Sequence, residues 1–330
     1  MRFALDETTE TLRAAAADLL RAEVTPDVIR AGWPGGDWDV VRSVWEKLAG
    51  VGVLGTLVAE DDGGLGLDEN ALVPLLEEIG YSGLPVPAVE TIAVAAPLVA
   101  RSFDAGGRHS DHQHQTILIA VETSPGEPVA FLGRAKQAVL ISDSGLRLYE
   151  ANALATQRCE SVDGSRWVGR IVRRPEGGGV LLTDDGSGAW QRGVLGTAAV
   201  LCGLARRMLD MTVDYVKRRE QYGVAVGSFQ AIKHALANAL VAVEFARPMV
   251  LAAGWAQSAG ADDAAVQTSA AKVLASDAAL LVARTSIQCH GAMGYTTEYD
   301  LHLFAKRAWA LAPSWGSAAW HRARIGEIVA

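Results

Sequence analysis

Asp214-Tyr215-Val216-Lys217-Arg218-Arg219-Glu220-Gln221-Tyr222-Gly223, followed closely by Ser228-Phe229-Gln230-Ala231-Ile232, closes one long apolar helix and opens another. Upstream, Ala, Leu and Val dominate Val194 to Val216. Downstream, Phe229, Ile232, Leu236, Leu240 and Val243 share one helical face between about Ser228 and Ser258. Gly223 stops the first helix, and Lys217, Arg218 and Arg219 complement the negative end of its dipole. On local chemistry alone, a basic helix end accounts for the cluster. A third helix is expected from about Asp263 to Cys289, with Val266, Val273, Leu280, Leu281 and Ile287 inward, and a fourth over the last stretch. Long amphipathic helices joined by short turns predict a four-helix bundle over residues 186–330, kinked at Pro248.

Working outward, the N-terminal segment is also helical, with Leu12, Ala15, Ala16, Leu19 and Leu20 at helical spacing, then Val44, Leu48 and Val51, then Val73, Leu76 and Ile79. Gly63-Gly64-Leu65-Gly66 and the stretch from Gly80 to Pro87 interrupt it. A polar linker, Asp104 to Gln115, carries His109, His112 and His114. Its composition suggests metal, but no fourth ligand accompanies it, so no metal site is expected. The texture then changes to short apolar runs between turns. Ile117 to Val121, Ala138 to Ile141, Leu146 to Tyr149 and Val180 to Leu182 are expected as strands of a small antiparallel β domain, with Ser142-Asp143-Ser144-Gly145 as a hairpin turn. The fold expected is mostly α with a small β domain: residues 1–115 helical domain and linker, 116–185 β domain, 186–330 bundle.

With 330 residues, half of them hydrophobic, the chain can bury a sizeable core. A net charge of −8 argues against non-specific nucleic-acid binding, so an anionic ligand must meet a local positive cluster. The longest apolar runs, Val194 to Leu204 and Ala235 to Val243, are bounded by charges, and no membrane span is expected. The start, Met1 to Glu7, has no basic and apolar signal pattern. Three widely spaced cysteines (Cys159, Cys202, Cys289) fit reduced thiols in a cytoplasmic protein.

The spacing of Arg219-Glu220-Gln221-Tyr222-Gly223 and Phe229-Gln230 resembles the acyl-CoA dehydrogenase family, which carries Arg-x-[Gln/Thr]-[Phe/Tyr]-Gly and then Phe-Gln at this separation. Gln288-Cys289-His290-Gly291-Ala292-Met293-Gly294-Tyr295 is similar to the family's Gln-x-x-Gly-Gly-x-Gly-[Tyr/Phe] segment. Leu48 to Gly55, Glu60 to Leu67 and Glu77-Glu78-Ile79-Gly80 extend the resemblance to the N-terminal region. The resemblance implies an oxidoreductase using FAD, in which the arginine segment of one subunit reaches the cofactor held by its neighbour. The residue types suit that role. Arg219 can fork two donors onto a pyrophosphate, and Gln221, Gln230 and Gln288 can hydrogen-bond ribose or adenine edges. Gly291 permits close backbone approach.

The departures concern the catalytic half. In the family a carboxylate takes the α-proton of an acyl-CoA while the flavin accepts a hydride from the β-carbon. Trp315 stands at the usual position of that carboxylate, and an indole cannot accept a proton at neutral pH. The alternative family position, early in the first long bundle helix, falls on Gly193, with Val194 where a substrate-holding arginine often follows; Arg192 would point elsewhere. The family's flavin loop, roughly Thr-Glu-Pro-x-x-Gly-Ser-Asp, corresponds to Ala120 to Glu127 and lacks its Gly-Ser pair. No Trp-[Ile/Val]-[Ser/Thr] equivalent is evident after it. No catalytic residue is therefore assigned, and the chain is expected not to hold a complete FAD in its own β domain.

The resemblance then extends to the non-catalytic, beta-type subunits of actinobacterial heterotetrameric steroid acyl-CoA dehydrogenases. It implies an α2β2 assembly with a homologous partner, FAD shared between the two chains, and an acyl-CoA, steroid-derived, bound in the partner's site. This chain alone would be inactive. Two alternatives stay open: a stand-alone dehydrogenase using Asp184, Asp185 or Glu298 as base, and a non-enzymatic scaffold that retains the fold. Glu298, His234 and His290 are taken as structural, and Cys202 and Cys289 as small buried hydrophobes.

Overall fold

The computed structural model describes residues 4–104, 116–175 and 178–330, so the histidine tract at His109, His112 and His114 lies outside the described residues. The N-terminal region folds as α1 (Glu7–Glu23), α2 (Pro26–Ala31), α3 (Trp38–Val51) and α4 (Glu69–Ser82). Each starts where Asp6, Thr25, Asp37 or Asp68 accepts a backbone N–H of the first turn, satisfying an amide that the helix itself leaves unpaired. A π-helical stretch, Val89–Ala95, leads into α5 (Ala96–Asp104) and is buried along its whole length.

The β region contains β1 (Ile119–Val121), β2 (Gln137–Ser142), β3 (Gly145–Glu150), β4 (Ala155–Arg158), β5 (Gly169–Arg173) and β6 (Val180–Thr183). Strands β1-β2-β3-β6 form one sheet in that order, and β4 pairs separately with β5. The sheet is mixed and not antiparallel throughout, because β1 and β2 run parallel, with Ile119 opposite Gln137. The long connection from Glu122 to Lys136 makes that crossover possible, whereas the tight turn at Ser142 and Gly145 makes β2 and β3 a hairpin.

The C-terminal region comprises α6 (Ser187–Arg218), the small hairpin β7 (Glu220–Gln221) and β8 (Val224–Ala225), α7 (Gln230–Ser258), α8 (Ala264–His290), α9 (Leu301–Leu311) and α10 (Ala318–Val329). Helix α7 continues through Pro248 with helical backbone on both sides. The final segment, expected as one helix, is two. Pro313 supplies no N–H, and Trp315 and Gly316 take left-handed φ values of 58° and 92°, which reverse the chain between α9 and α10. One apolar core runs from Leu20 and Trp45 through Leu76 and Leu201 to Trp315, and a smaller one lies under the sheet around Leu140 and Tyr149. Helices α4 and α6 cross almost backbone to backbone: a Cβ at Gly203 would lie 2.0 Å from the Glu77 carbonyl oxygen, and one at Gly80 would lie 2.3 Å from that of Val200.

Two helices, α7 and α8 with the segment after it, are long and apolar enough to cross a membrane by length and composition, which the run-by-run count of the sequence did not foresee. In α8 over half of the apolar stretch is buried inside the fold; in α7 only 22 % is, leaving Leu240, Val241, Phe245 and Trp255 on an uncovered face.

Polar side chains fix the turn that carries Trp315. Lys272, fully buried on α8, donates from Nζ to the carbonyls of Ala312 (2.8 Å) and Gly316 (3.0 Å) and to Ser276 Oγ (3.1 Å). Burial lowers its ammonium to about 7. His321 on α10 donates from Nε2 to the Trp315 carbonyl at 2.9 Å, while its Nδ1 faces Ser269 Oγ at 3.2 Å. Burial is the main cause that pulls this imidazole from 6.5 to about 4. The unfolded chain therefore takes up this proton before the folded one does. His321's contribution to stability is complete above pH 6.5 and is lost as the pH falls towards 4. Denaturant midpoints measured across that window should fall more steeply for the wild type than for His321→Gln; parallel curves would show that the imidazole is not held neutral.

Candidate functional site

The two positions where a base is expected meet in space. Gly193 lies in the second turn of α6, and a Cβ there would come within 2.5 Å of Cζ3 of the Trp315 indole. Trp315 is 3 % exposed, and its Nε1 is buried without a hydrogen-bond partner. Glycine at one position is thus what allows tryptophan at the other, and neither offers a carboxylate. Val194, next along α6, is fully buried, and Arg192 donates from Nε to the Ala93 carbonyl at 2.8 Å instead of turning inward.

The indole also forms a wall shared by two cavities. One, of about 290 Å³, is lined mainly by apolar groups, including Val94, Val121, Ile141, Leu146 and Trp190. The other, of about 680 Å³, is polar on one side, where Glu90, Thr123, Ser124, Glu127 and Glu160 face it. Glu90 is a functional candidate that the sequence reading missed. It sits on the π-helical stretch, is 4 % exposed, and burial pushes its carboxyl up. Its signal was a single acid inside the apolar run from Ala88 to Ala95. By contrast Asp184, Asp185 and Glu298 are exposed, and Asp185 accepts the amide of Ser187, the first residue of α6, at 2.8 Å.

The loop after β1 is closed on itself. Glu122 is buried and accepts from Gly126 N–H (3.1 Å), Ile141 N–H (2.8 Å) and the Arg174 guanidinium (2.9 Å). A partial Trp-Val match does follow, at Trp167-Val168, but Gly169 replaces the hydroxyl residue of the family pattern. The Trp167 indole donates to the Gly32 carbonyl at 2.8 Å and is covered by the Arg134 guanidinium at 3.8 Å, so it joins the β region to the N-terminal helices. The larger cavity presents three carboxyl groups and one guanidinium, Arg166, which is engaged by the Ala310 carbonyl and Ser314 Oγ. That donor set does not fit the anionic diphosphate of FAD.

The second group of residues lies at the far end of α6. The Arg219 amide donates to the Tyr215 carbonyl at 2.8 Å, and the Arg219 carbonyl accepts from Val226 N–H at 2.8 Å, closing the β7–β8 hairpin behind it. Tyr222 and Gly223 turn that hairpin with φ values of 56° and 77°. Gln221 lies on β7, Gln230 opens α7, Gln288 is in the last turn of α8, and Gly291 follows α8. Val216, Val226 and Cys289 pack together beneath these segments, which brings the two motifs side by side. Arg219, Gln221, Gln230, Gln288 and Gly291 are all exposed. Among the described residues the Arg219 guanidinium has no ion-pair partner. Gly291 takes φ 61°, with nothing within 4 Å of where a Cβ would stand. An open guanidinium, three amide side chains and an unobstructed backbone fit a diphosphate with ribose and base edges. The rise of α6 separates Gly193 from Arg219 by roughly 40 Å, too far for one cofactor to touch both within this chain.

Residues 189–330 match the acyl-CoA dehydrogenase C-terminal domain, and residues 6–118 match the acyl-CoA dehydrogenase N-terminal domain. Acyl-CoA dehydrogenase IpdE2 of Mycolicibacterium smegmatis is 28 % identical over 92 % of this chain and 93 % of that protein. Acyl-CoA dehydrogenase FadE34 of Mycobacterium tuberculosis is 33 % identical over 84 % of this chain, which spans 40 % of that longer protein. Among solved structures, the ChsE4-ChsE5 complex from Mycobacterium tuberculosis has a similar chain, with TM-score 0.83, 24 % identity and coverage of 100 % of this chain and 99 % of that one. A fold in the same order, carrying both family domains, accompanies the motifs at Arg219 and Gln288, and the chain belongs to the acyl-CoA dehydrogenase family.

Proposed function

We propose that this chain is a non-catalytic subunit of a hetero-oligomeric acyl-CoA dehydrogenase, with the base and the reacting part of the flavin site in a homologous partner. The observation that carries this reading is the Gly193–Trp315 contact, in which one indole fills the space beside Gly193 and neither residue offers a carboxylate. FAD, when bound, supplies the chemistry of the reaction by accepting a hydride as the acyl-CoA is oxidised between Cα and Cβ. On this side of the interface Arg219 would hold the diphosphate, Gln221, Gln230 and Gln288 would hold ribose and adenine edges, and Gly291 would let the backbone approach. The carboxyl-rich cavity beside Trp315 would hold no flavin. The uncovered face of α7, where Phe245 is 70 % exposed, is the surface that supports a partner.

An α2β2 assembly is the form we propose, in keeping with the two-chain ChsE4-ChsE5 complex. A ring-bearing, steroid-derived acyl-CoA is the proposed substrate, held in the partner. A further structural neighbour is the Tcur3481-Tcur3483 steroid ACAD G363A variant, with TM-score 0.82 and 23 % identity. The proposed location is the cytoplasm, where the three free thiols would stay reduced. One observation favours a second reading, a stand-alone enzyme: Glu90 is a buried carboxyl lining the larger cavity.

Flavin content separates the two. The chain purified alone should be colourless, and the complex pulled from its native cells on a tagged copy of this chain should carry about one FAD per heterodimer. A yellow homodimer at full occupancy would favour the stand-alone enzyme and remove the proposal. In the complex, Arg219→Ala should weaken FAD binding by one to two decades, the loss of a charge-assisted contact of roughly 1.5–3 kcal/mol. Unchanged FAD affinity in a folded variant would reduce the arginine to a helix-end charge.

A further inference from the structure

His290 has no role in the reaction as described, yet it joins the two segments that carry the exposed half-site. Its ring is 3 % exposed and stacks on Tyr215 with centroids 4.2 Å apart and planes 26° apart; Tyr299 packs at 4.7 Å from the imidazole and edge to face against Tyr215 at 5.6 Å, so the three rings form one cluster. Nδ1 donates to the Ser286 carbonyl at 2.7 Å, one turn back on α8, which fixes the ring plane. Nε2 is buried and has no partner, so the imidazole works here as a flat ring with one polar anchor. The Tyr215 hydroxyl lies 3.4 Å from the His290 carbonyl, and the Tyr299 hydroxyl lies 3.4 Å from that of Met211 on α6. Three rings thus bridge the ends of α6 and α8 and the segment leading into α9.

The stack sits directly behind the residues of the half-site. The carbonyl of Tyr215 receives the Arg219 amide at 2.8 Å, so the position of the Tyr215 ring sets where the chain leaves α6. His290 immediately precedes Gly291, whose amide donates back to the Gln288 carbonyl. Sliding or tilting of α8 against α6 would move Gln288 and Gly291 away from Arg219 and Gln221 while leaving each segment intact. A diphosphate and its attached ribose can be held from both segments only if their spacing is fixed beforehand.

We infer that His290 is a positioning residue for the FAD half-site: packed against both Tyr215 and Tyr299, it sets the register between the Arg219–Gln221 hairpin and the Gln288–Gly291 helix end. The inference rests on the proposal that this half-site holds FAD in a complex. It concerns affinity for the cofactor and makes no use of turnover.

The test is a double-mutant cycle on the dissociation constant of FAD from the reconstituted complex, read by flavin fluorescence. His290→Ala should weaken FAD by about tenfold, and in an Arg219→Ala background it should add less than about threefold, because the two residues act through one contact. His290→Phe, which keeps the stack and loses only the Ser286 anchor, should stay within about threefold of wild type. If His290→Ala does not fold, Tyr215→Leu takes its place in the cycle with the same expectation. No effect of Arg219→Ala would overturn the proposed half-site itself. With that effect present, a neutral or fully additive His290→Ala, or a His290→Phe as weak as alanine, would overturn the positioning role alone.

Discussion

The guanidinium of Arg307 is the junction on which the arrangement of the three regions depends. It projects from α9, is 7 % exposed, and donates to Asp163 Oδ2 (3.1 Å) and Ser165 Oγ (2.9 Å) of the β region. It also donates to the carbonyls of Gly83 and Leu84, which close the N-terminal helices. Asp163 is 1 % exposed, so removing the arginine would leave a buried carboxylate without its counter-charge, a change worth roughly 3–5 kcal/mol. A planar five-donor group is suited to this, since lysine could not reach acceptors in two other regions from one fixed plane. With α9 held there, the turn that follows it is delivered against α6, and Lys272 and His321 complete its restraint.

That turn holds the Trp315 indole against α6. A left-handed Trp315 with an unpartnered buried Nε1 is costly, and it persists because the core, the lysine and the histidine fix the backbone around it. The cost has a structural counterpart in Gly193, whose missing Cβ accommodates the ring. Gly193 and Trp315, neither of which offers a carboxylate, therefore form one packed contact. Meanwhile the opposite end of α6 keeps an open guanidinium, three amides and a bare glycine backbone, which are not needed for packing. A single helix thus has a packed indole beside one end and an exposed cluster of polar groups at the other, and the proposed partner chain would complement that division.

Much of this was legible in the sequence where the physics is local. The hydrophobic periodicity of Val194 to Val216 and the strand pair at Ala138 and Leu146 depend on near neighbours, and both formed. The motif residues Arg219, Gln221, Gln230, Gln288 and Gly291 could be named along the sequence, and the fold sets their segments side by side. Other features depend on contacts distant in sequence and were not legible. Parallel pairing of β1 with β2 needs a crossover that no turn signal announces. The break between α9 and α10 had local signals in Pro313 and Gly316, but the left-handed turn at Trp315 had none, because tryptophan does not favour a positive φ. Glu90 escaped notice because a lone acid in an apolar run looks like a surface residue until a π-helical stretch turns it inward. The meeting of Gly193 with Trp315 could be named position by position from the sequence, but only the fold makes it one contact.

The central claim is that FAD is held by the Arg219 end of this chain and not by the cavity beside Trp315. A structure of the complex isolated from native cells, at a resolution that shows the cofactor, tests it most directly. The account predicts the diphosphate beside Arg219 and Gln221, the isoalloxazine ring inside the partner chain, and no flavin against the Trp315 indole. A flavin ring seated in the cavity lined by Glu90, Glu127 and Glu160, with Arg219 free of phosphate, would contradict it.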